Sequence, residues 1–252
     1  FMIGTDAFQE IDAVGISRPC VKHNFLVNSV EELPRIIKEA FYIARSGRPG
    51  PVHIDIPKNV TSRLGDFVYP KEISIPSYKP TYKGNSKQIK KAAAAINEAK
   101  RPLLYIGGGA VASNASEIIR KFMKKTGIPA VETLMALGVL DAKDELNVGM
   151  AGMHGSYASN MALSECDLLI SLGARFCDRV TGRTDEFAKH AKIIHIDIDP
   201  SSISKIINAH YPIVGDLTNV LSELYEEVKG EPKNYAPWRE ILDRYQKLNP
   251  LG

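Results

Sequence analysis

Ser171-Leu-Gly-Ala-Arg-Phe-Cys-Asp-Arg-Val-Thr-Gly182, entered from the apolar run Asp167-Leu-Leu-Ile-Ser-Leu172, decides how this chain is read. The run is short, apolar and closed by Gly173, which is the pattern of a strand buried within a parallel sheet. Immediately past its carboxyl end stand Arg175, Asp178 and Arg179. Open α/β sheets bind ligands outside the carboxyl ends of their strands. Two guanidinium forks at such a place suit a phosphate or a carboxylate. The competing reading of the same residues is a solvent-exposed Arg-Asp-Arg ion-pair cluster.

Working outward from this strand, the chain alternates. Apolar residues at Leu33, Ile36, Ile37, Ala40 and Phe41 follow a helical period between strand-like Val21–Val27 and Pro51–Pro57, with Gly47-Arg-Pro-Gly-Pro51 breaking the helix. From Ser86 to about Val228 helical stretches (Ile89–Ala99, Ser116–Thr126, Tyr157–Ser164) lead into strand-like runs at Pro102–Ile106, Ile128–Val131, Leu168, Lys192–Asp199 and Pro212–Val214. A short helix is expected between the last two runs, and a long glycine-punctuated loop (Gly138, Gly149, Gly152, Gly155) before Tyr157. This alternation predicts a doubly wound parallel sheet of the α/β class. The expected divisions are the end of one α/β domain at 1–62, a linker with Pro70, Pro76 and Pro80 at 63–85, a second α/β domain at 86–230, and an exit helix or linker at 231–252.

With 252 residues, 44% of them hydrophobic and 24% charged, the composition is that of an ordinary globular protein. A net charge of +3, dispersed along the chain, argues against a nucleic-acid partner. No apolar run approaches the ~20 residues that span a bilayer, so no membrane role is expected. Cys20, Cys166 and Cys177 lack metal-ligand spacing and suit reduced thiols in a cytoplasmic setting, with no metal site. The chain opens on Phe1-Met2-Ile3, which suggests a piece of a longer protein whose targeting segment, if it has one, would lie elsewhere.

Five strand ends carry residues suited to a nucleotide. Gly107-Gly108-Gly109 would let a phosphate or adenine approach the backbone. Thr133 offers a hydroxyl, Gly173 with Arg175 and Arg179 offers cations, and Asp197, Asp199 and Asp216 offer carboxylates to a ribose or adenine. Singly, each has a plainer reading: a triple glycine is a turn, and Ile-Asp-Ile-Asp-Pro is strand alternation and a cap. Taken together they point to one dinucleotide-sized ligand in one crevice. In Gly152-Met153-His154-Gly155 the choice is between a glycine-bounded turn and a pair of side chains, Met153 and His154, laid over a flat ligand ring. His53 and His195 fall inside strands and read as buried, satisfied histidines. No Ser-His-Asp set, carboxylate pair, Gly-x-Gly-x-x-Gly or Walker motif is present. On the residues alone the reading stops at a nucleotide-binding domain with the rim of another attached.

Six segments together resemble one family. They are Ile3-Gly-Thr-Asp-Ala-Phe-Gln-Glu10, Lys22-His-Asn-Phe-Leu-Val27, Gly47-Arg-Pro-Gly-Pro51 with Asp55-Ile-Pro-Lys58, Gly152-Met-His-Gly155, Ala174-Arg-Phe-Cys-Asp-Arg-Val-Thr-Gly182 and Ile194-His-Ile-Asp-Ile-Asp-Pro200. In this order they are similar to the catalytic large subunit of the acetolactate synthases, thiamine diphosphate enzymes. The resemblance implies the end of a pyrimidine-binding domain followed by a central FAD-binding domain. It implies decarboxylation of pyruvate and condensation with a second 2-ketoacid (pyruvate or 2-oxobutyrate) for branched-chain amino-acid biosynthesis. FAD would be structural, and thiamine diphosphate and Mg²⁺ would be held mostly outside this chain. A homo-oligomer and a small regulatory subunit are the implied protein partners.

Carried over by motif, Gln9, Lys58 and Arg179 would position substrate, and Phe8 would line the active-site entrance beside the cofactor. Arg48, Gly107, Gly108, Gly109, Thr133, Leu134, Met135, Met153, His154, Gly173, Arg175, Arg179, Val180, Asp197, Ile198 and Asp216 would contact FAD. Where the family usually has a second aspartate this chain has Cys177, leaving Asp178 alone beside Arg179. The family's catalytic glutamate is expected before Phe1, and its Gly-Asp-Gly…Asn metal motif beyond Gly252; Gly215-Asp216-Leu217 is not that motif. The alternatives are a stand-alone FAD or nucleotide-binding module and a related enzyme such as a glyoxylate carboligase or a pyruvate oxidase.

Overall fold

The computed structural model describes residues 4–229 and 235–250. The expected boundary at 230/231 and the last two residues of the expected exit segment lie outside them. The chain divides into two compact units, Phe1–Pro80 and Thr81–Gly252.

In the first unit, helix α1 (Ala13–Ser17) precedes strand β1 (His23–Leu26), helix α2 (Leu33–Arg45), strand β2 (Val52–Asp55) and helix α3 (Lys58–Thr61). β1 and β2 pair in parallel, His23 opposite Val52, with α2 as the crossover. Val27, Ile36 and Val60 form the small core, with Phe25, Val30, Leu33 and Ile54 packed against it. Lys22 places its ammonium at the carboxyl end of α2, donating to Ile43 O at 2.6 Å and Ser46 O at 2.5 Å. Cations at that end are favoured by the unsatisfied carbonyls there. The same ammonium donates to Tyr78 Oη at 2.7 Å, and Lys38 donates to the carbonyls of Pro70 and Lys71. The proline-rich stretch as far as Pro80 therefore lies along this unit. Tyr82, which accepts from Asp216 N at 2.9 Å, belongs to the other.

The second unit runs α4 (Ser86–Glu98), β3 (Pro102–Ile106), α5 (Gly108–Ala112), α6 (Ser116–Thr126), β4 (Ala130–Glu132), β5 (Asn147–Met150), α7 (Tyr157–Glu165), β6 (Leu168–Leu172), α8 (Asp178–Thr181), β7 (Lys192–Asp197), β8 (Tyr211–Val214), α9 (Leu217–Glu227) and α10 (Ala236–Leu248). All six strands are parallel, in the order β5-β4-β3-β6-β7-β8. β3 and β6 are buried at every residue, so both faces of the sheet are covered. α9 packs against both α4 and α6, and α10 packs on α7. The expected doubly wound α/β sheet is present.

Two local expectations are corrected. The glycine-punctuated loop contains the edge strand β5, whose Gly149 (φ +113) and irregular register against Ala130/Val131 hide the two-residue period. Between β7 and β8 there is no helix: the Asp199 carboxylate accepts from Ser201 N at 2.9 Å, Ser201 Oγ at 2.7 Å and Ser202 Oγ at 3.3 Å, holding a turn instead.

Candidate functional site

A parallel sheet aims every strand's carboxyl end at the same rim. The strand order reverses between β3 and β6, the point at which open α/β sheets bind ligands. All six strands deliver expected site residues to this rim: Gly107–Gly109 follow β3, Thr133–Met135 follow β4, and Met153 and His154 follow β5. Gly173–Val180 follow β6, Asp197 ends β7 with Ile198 next, and Asp216 follows β8. Phe8, Gln9, Arg48 and Lys58 belong to the first unit. There the Glu10 carboxylate accepts the main-chain N–H groups of Gly4, Thr5 and Ala7. That wrapping holds Glu10 below the usual carboxylate range and displays Phe8, which is 94% exposed, beside Gln9 at φ +64. Arg48 lies in the turn between α2 and β2, and Lys58 opens α3.

The switch point is closer-packed than the glycine run suggests. A Cβ at Gly107 would lie 2.3 Å from Gly173 O and 2.5 Å from Ala174 Cα, and one at Gly109 would lie 2.8 Å from Gly173 Cα. Gly109 N also donates to Gly173 O at 3.1 Å. The Cβ direction at Gly107 and at Gly109 is thus filled by the β6 loop, which packs directly on this backbone. Gly108 faces the Met135 side chain, 3.1 Å from where its Cβ would be.

Behind that loop sits His195, fully buried on β7. Its Nε2 lies 3.0 Å from Ala174 O, which requires the proton on Nε2, and its ring meets Phe176 edge-on at 4.9 Å. Its Nδ1 has no partner, so the expectation of a satisfied histidine is met at one nitrogen only. Burial pushes the imidazole down to about 4, which keeps it neutral. Phe176, at φ +53, is itself buried among Tyr105, Phe187 and this ring. Anchoring Phe176 inward turns Arg175, Cys177, Asp178 and Arg179 outward. Among the described residues neither Arg175 nor Arg179 is paired with a carboxylate, so the alternative reading of an Arg-Asp-Arg ion-pair cluster is not what forms. Two unneutralised guanidinium groups stand at the rim.

The β5 loop docks on the β6 loop. Gly152 is buried at φ +113, where a Cβ would meet Arg179 O at 2.9 Å, and Met153 N donates to that same carbonyl at 2.8 Å. Sequence reading missed the residue that ties this loop down. Asn160 on α7 accepts from Gly152 N and donates to Gly152 O, both at 2.9 Å. A mid-helix asparagine among small residues was the available signal. Also missed was Glu132, a carboxylate inside apolar β4. It accepts from Leu140 N at 3.2 Å and Asn147 Nδ2 at 3.3 Å, and burial raises its pKa. With Arg120, which donates to Val139 O at 2.7 Å, it holds the loop that presents Leu134 and Met135.

The donor set fits an adenine-dinucleotide cofactor of the flavin type. Leu134, Met135 and Met153 are large, apolar and exposed, a surface for a flat ring. Arg175 and Arg179 offer charge to phosphates. Thr133 Oγ1 is buried without a partner, a hydroxyl awaiting one. Asp197 Oδ1 accepts from Asp199 N at 2.8 Å, and Asp216 caps α9 through Asn219 N at 3.2 Å. Among the described residues no group of three or more His, Cys, Asp or Glu side chains could hold a metal ion, and no helix is long and apolar enough to cross a membrane.

Known proteins place this arrangement. The chain is 47% identical to the acetolactate synthase large subunit of Corynebacterium glutamicum, over 100% of its own length and 41% of that protein's. It is 48% identical to the acetolactate synthase of Mycobacterium bovis over 100% and 41% of the two chains, and 44% identical to the large subunit of Buchnera aphidicola over 99% and 44%. The chain spans less than half the length of these curated relatives. The family model for the thiamine pyrophosphate enzyme central domain matches residues 89–224, from α4 to α9, which takes in the six strands and every loop of the rim. The chain therefore belongs to the thiamine pyrophosphate enzymes, with residues 89–224 of its second unit matching their central domain.

Proposed function

We propose that this chain is part of an acetolactate synthase large subunit, which condenses pyruvate with a second 2-ketoacid and releases CO₂. The observation that carries this reading is identity of 44–48% to proteins of that name along the whole chain. Arg179 then orients the second ketoacid through its carboxylate and stacks near the flavin, a double role that suits an unneutralised guanidinium on a docked loop. Gln9 and Lys58 serve substrate positioning from the first unit, and Phe8 the entrance. The rim loops hold FAD through Arg175, Thr133, Met135, Met153, His154 and Asp197, with Arg48 as a further contact. When bound, thiamine diphosphate with Mg²⁺ supplies the stabilisation of the carbanion left by decarboxylation. The complete enzyme is a cytoplasmic homo-oligomer with a small regulatory subunit.

The test uses the full-length enzyme with pyruvate, thiamine diphosphate, Mg²⁺ and FAD. Acetolactate should form, and Arg179→Ala should raise KM for the ketoacid by about tenfold or more, the loss of one charge-assisted pair. Titration with FAD should quench flavin fluorescence in the parent and less so in the variant. No acetolactate with every cofactor supplied would remove the reading.

A further inference from the structure

We propose that Asn160 is a positioning residue for Arg179, acting through the main chain of Gly152 and Met153; the inference rests on the substrate role given to Arg179 above. Asn160 sits on α7, which the core fixes firmly. Ala158, Ser159, Ala162 and Leu163 are buried, Ser156 caps the helix through Ser159 N at 3.1 Å, and Ser159 Oγ donates to Val148 O at 3.1 Å on β5. From this fixed base the carboxamide holds both polar groups of one residue, taking the N–H of Gly152 and giving to its C=O, each at 2.9 Å. A carboxamide does both at once, whereas an ionised carboxylate accepts and cannot give. The next peptide carries the constraint forward. With Gly152 fixed, Met153 N–H is aimed at Arg179 O, 2.8 Å away. Gly152 has no side chain to keep the two loops apart. The route from the helix to the main chain that carries Arg179 is therefore Asn160, Gly152, Met153, Arg179, four residues linked by three hydrogen bonds.

Position along this route has a signature that general stability does not. Asn160→Asp keeps the volume and the bond from Gly152 N but sets a carboxylate oxygen against Gly152 O. Asn160→Ala removes both bonds. In the full-length enzyme each variant should quicken amide hydrogen exchange in peptides covering 150–156 and also 176–182. Each should raise the ketoacid KM by about tenfold, on the scale of one or two lost hydrogen bonds, while kcat changes by less than about threefold. FAD affinity should fall in parallel, read by fluorescence in the absence of substrate. Faster exchange confined to 150–156 would overturn the proposal. So would a lowered Tm with KM and FAD affinity unchanged. Where Asn160→Ala does not fold, Asn160→Asp gives the same readouts. Arg179→Ala run in parallel separates the two ideas: if it leaves KM unaltered, the substrate role of Arg179 falls, and exchange across 176–182 still decides whether Asn160 governs that loop.

Discussion

A methyl group on Gly107 would be driven into Gly173 O and Ala174 Cα, both backbone atoms that cannot swing aside. Gly107→Ala should therefore destabilise by about 3 kcal/mol or more. Gly138→Ala, at φ +98 with nothing within 4 Å of the added carbon, should cost only about 1–2 kcal/mol of backbone strain. Urea unfolding of the two variants measures the difference, and equal losses would refute the close-approach account. His195 gives a pH dependence whose sign is fixed. Its folded pKa, about 4, lies below the ordinary 6.5, so the unfolded chain binds the extra proton between those values. Stability is complete above pH 6.5 and drains away as pH falls toward 4, by on the order of 3 kcal/mol. Glu132, raised by burial, acts in the opposite sense and gains stability on protonation. His195→Gln should abolish its share, seen as a smaller gap between urea midpoints at about pH 5 and about pH 7.5. The glycines and the histidine were both visible in the sequence. What each faces was not, because the facing atoms belong to distant strands.

Helices and strands with regular periods could be placed from sequence, since period is a property of consecutive residues. Pro102–Ile106 and Ser116–Thr126 form over those same residues. β5 escaped because Asn147 and Gly149 carry little strand propensity, and its pairing with β4 across a bulge is a tertiary event. An exit helix or linker was expected within 231–252, and α10 forms there, but its partners could not be read. Trp238 is buried, donates to Pro102 O at 3.2 Å at the start of β3, and has the Arg101 guanidinium 5.7 Å from its ring. Tyr245 Oη donates to Glu165 at 2.5 Å, tying the same helix to α7. Trp238→Ala should cost about 3–5 kcal/mol, measured by circular dichroism during urea unfolding. A loss under 1 kcal/mol would show that α10 is only loosely attached. As the one tryptophan, Trp238 also reports this docking by its emission, which should shift to the red when α10 leaves the sheet.

Across the whole molecule, one unit carries the complete sheet and the other a two-stranded one. On the function proposed above, the purified chain should quench flavin fluorescence on titration with FAD yet form no acetolactate, since its 252 residues contain no Gly-Asp-Gly…Asn motif. Thiamine-dependent product from it would contradict that expectation. Apart from β5 and the turn between β7 and β8, the strands of the larger sheet, the α/β class and the chemical types at the strand ends were already legible in the amino-acid order, because periodicity, breakers and side-chain chemistry are local. So were the arginines beyond β6, though not whether they would pair with Asp178. The fold settled that by burying Phe176 against His195 and turning both guanidinium groups to solvent. It also settled the strand order, and so put the reversal between β3 and β6. Finally, it seated Gly152 and Met153 on Arg179. These outcomes depend on which distant segments share a rim, and neighbouring residues carry no record of that.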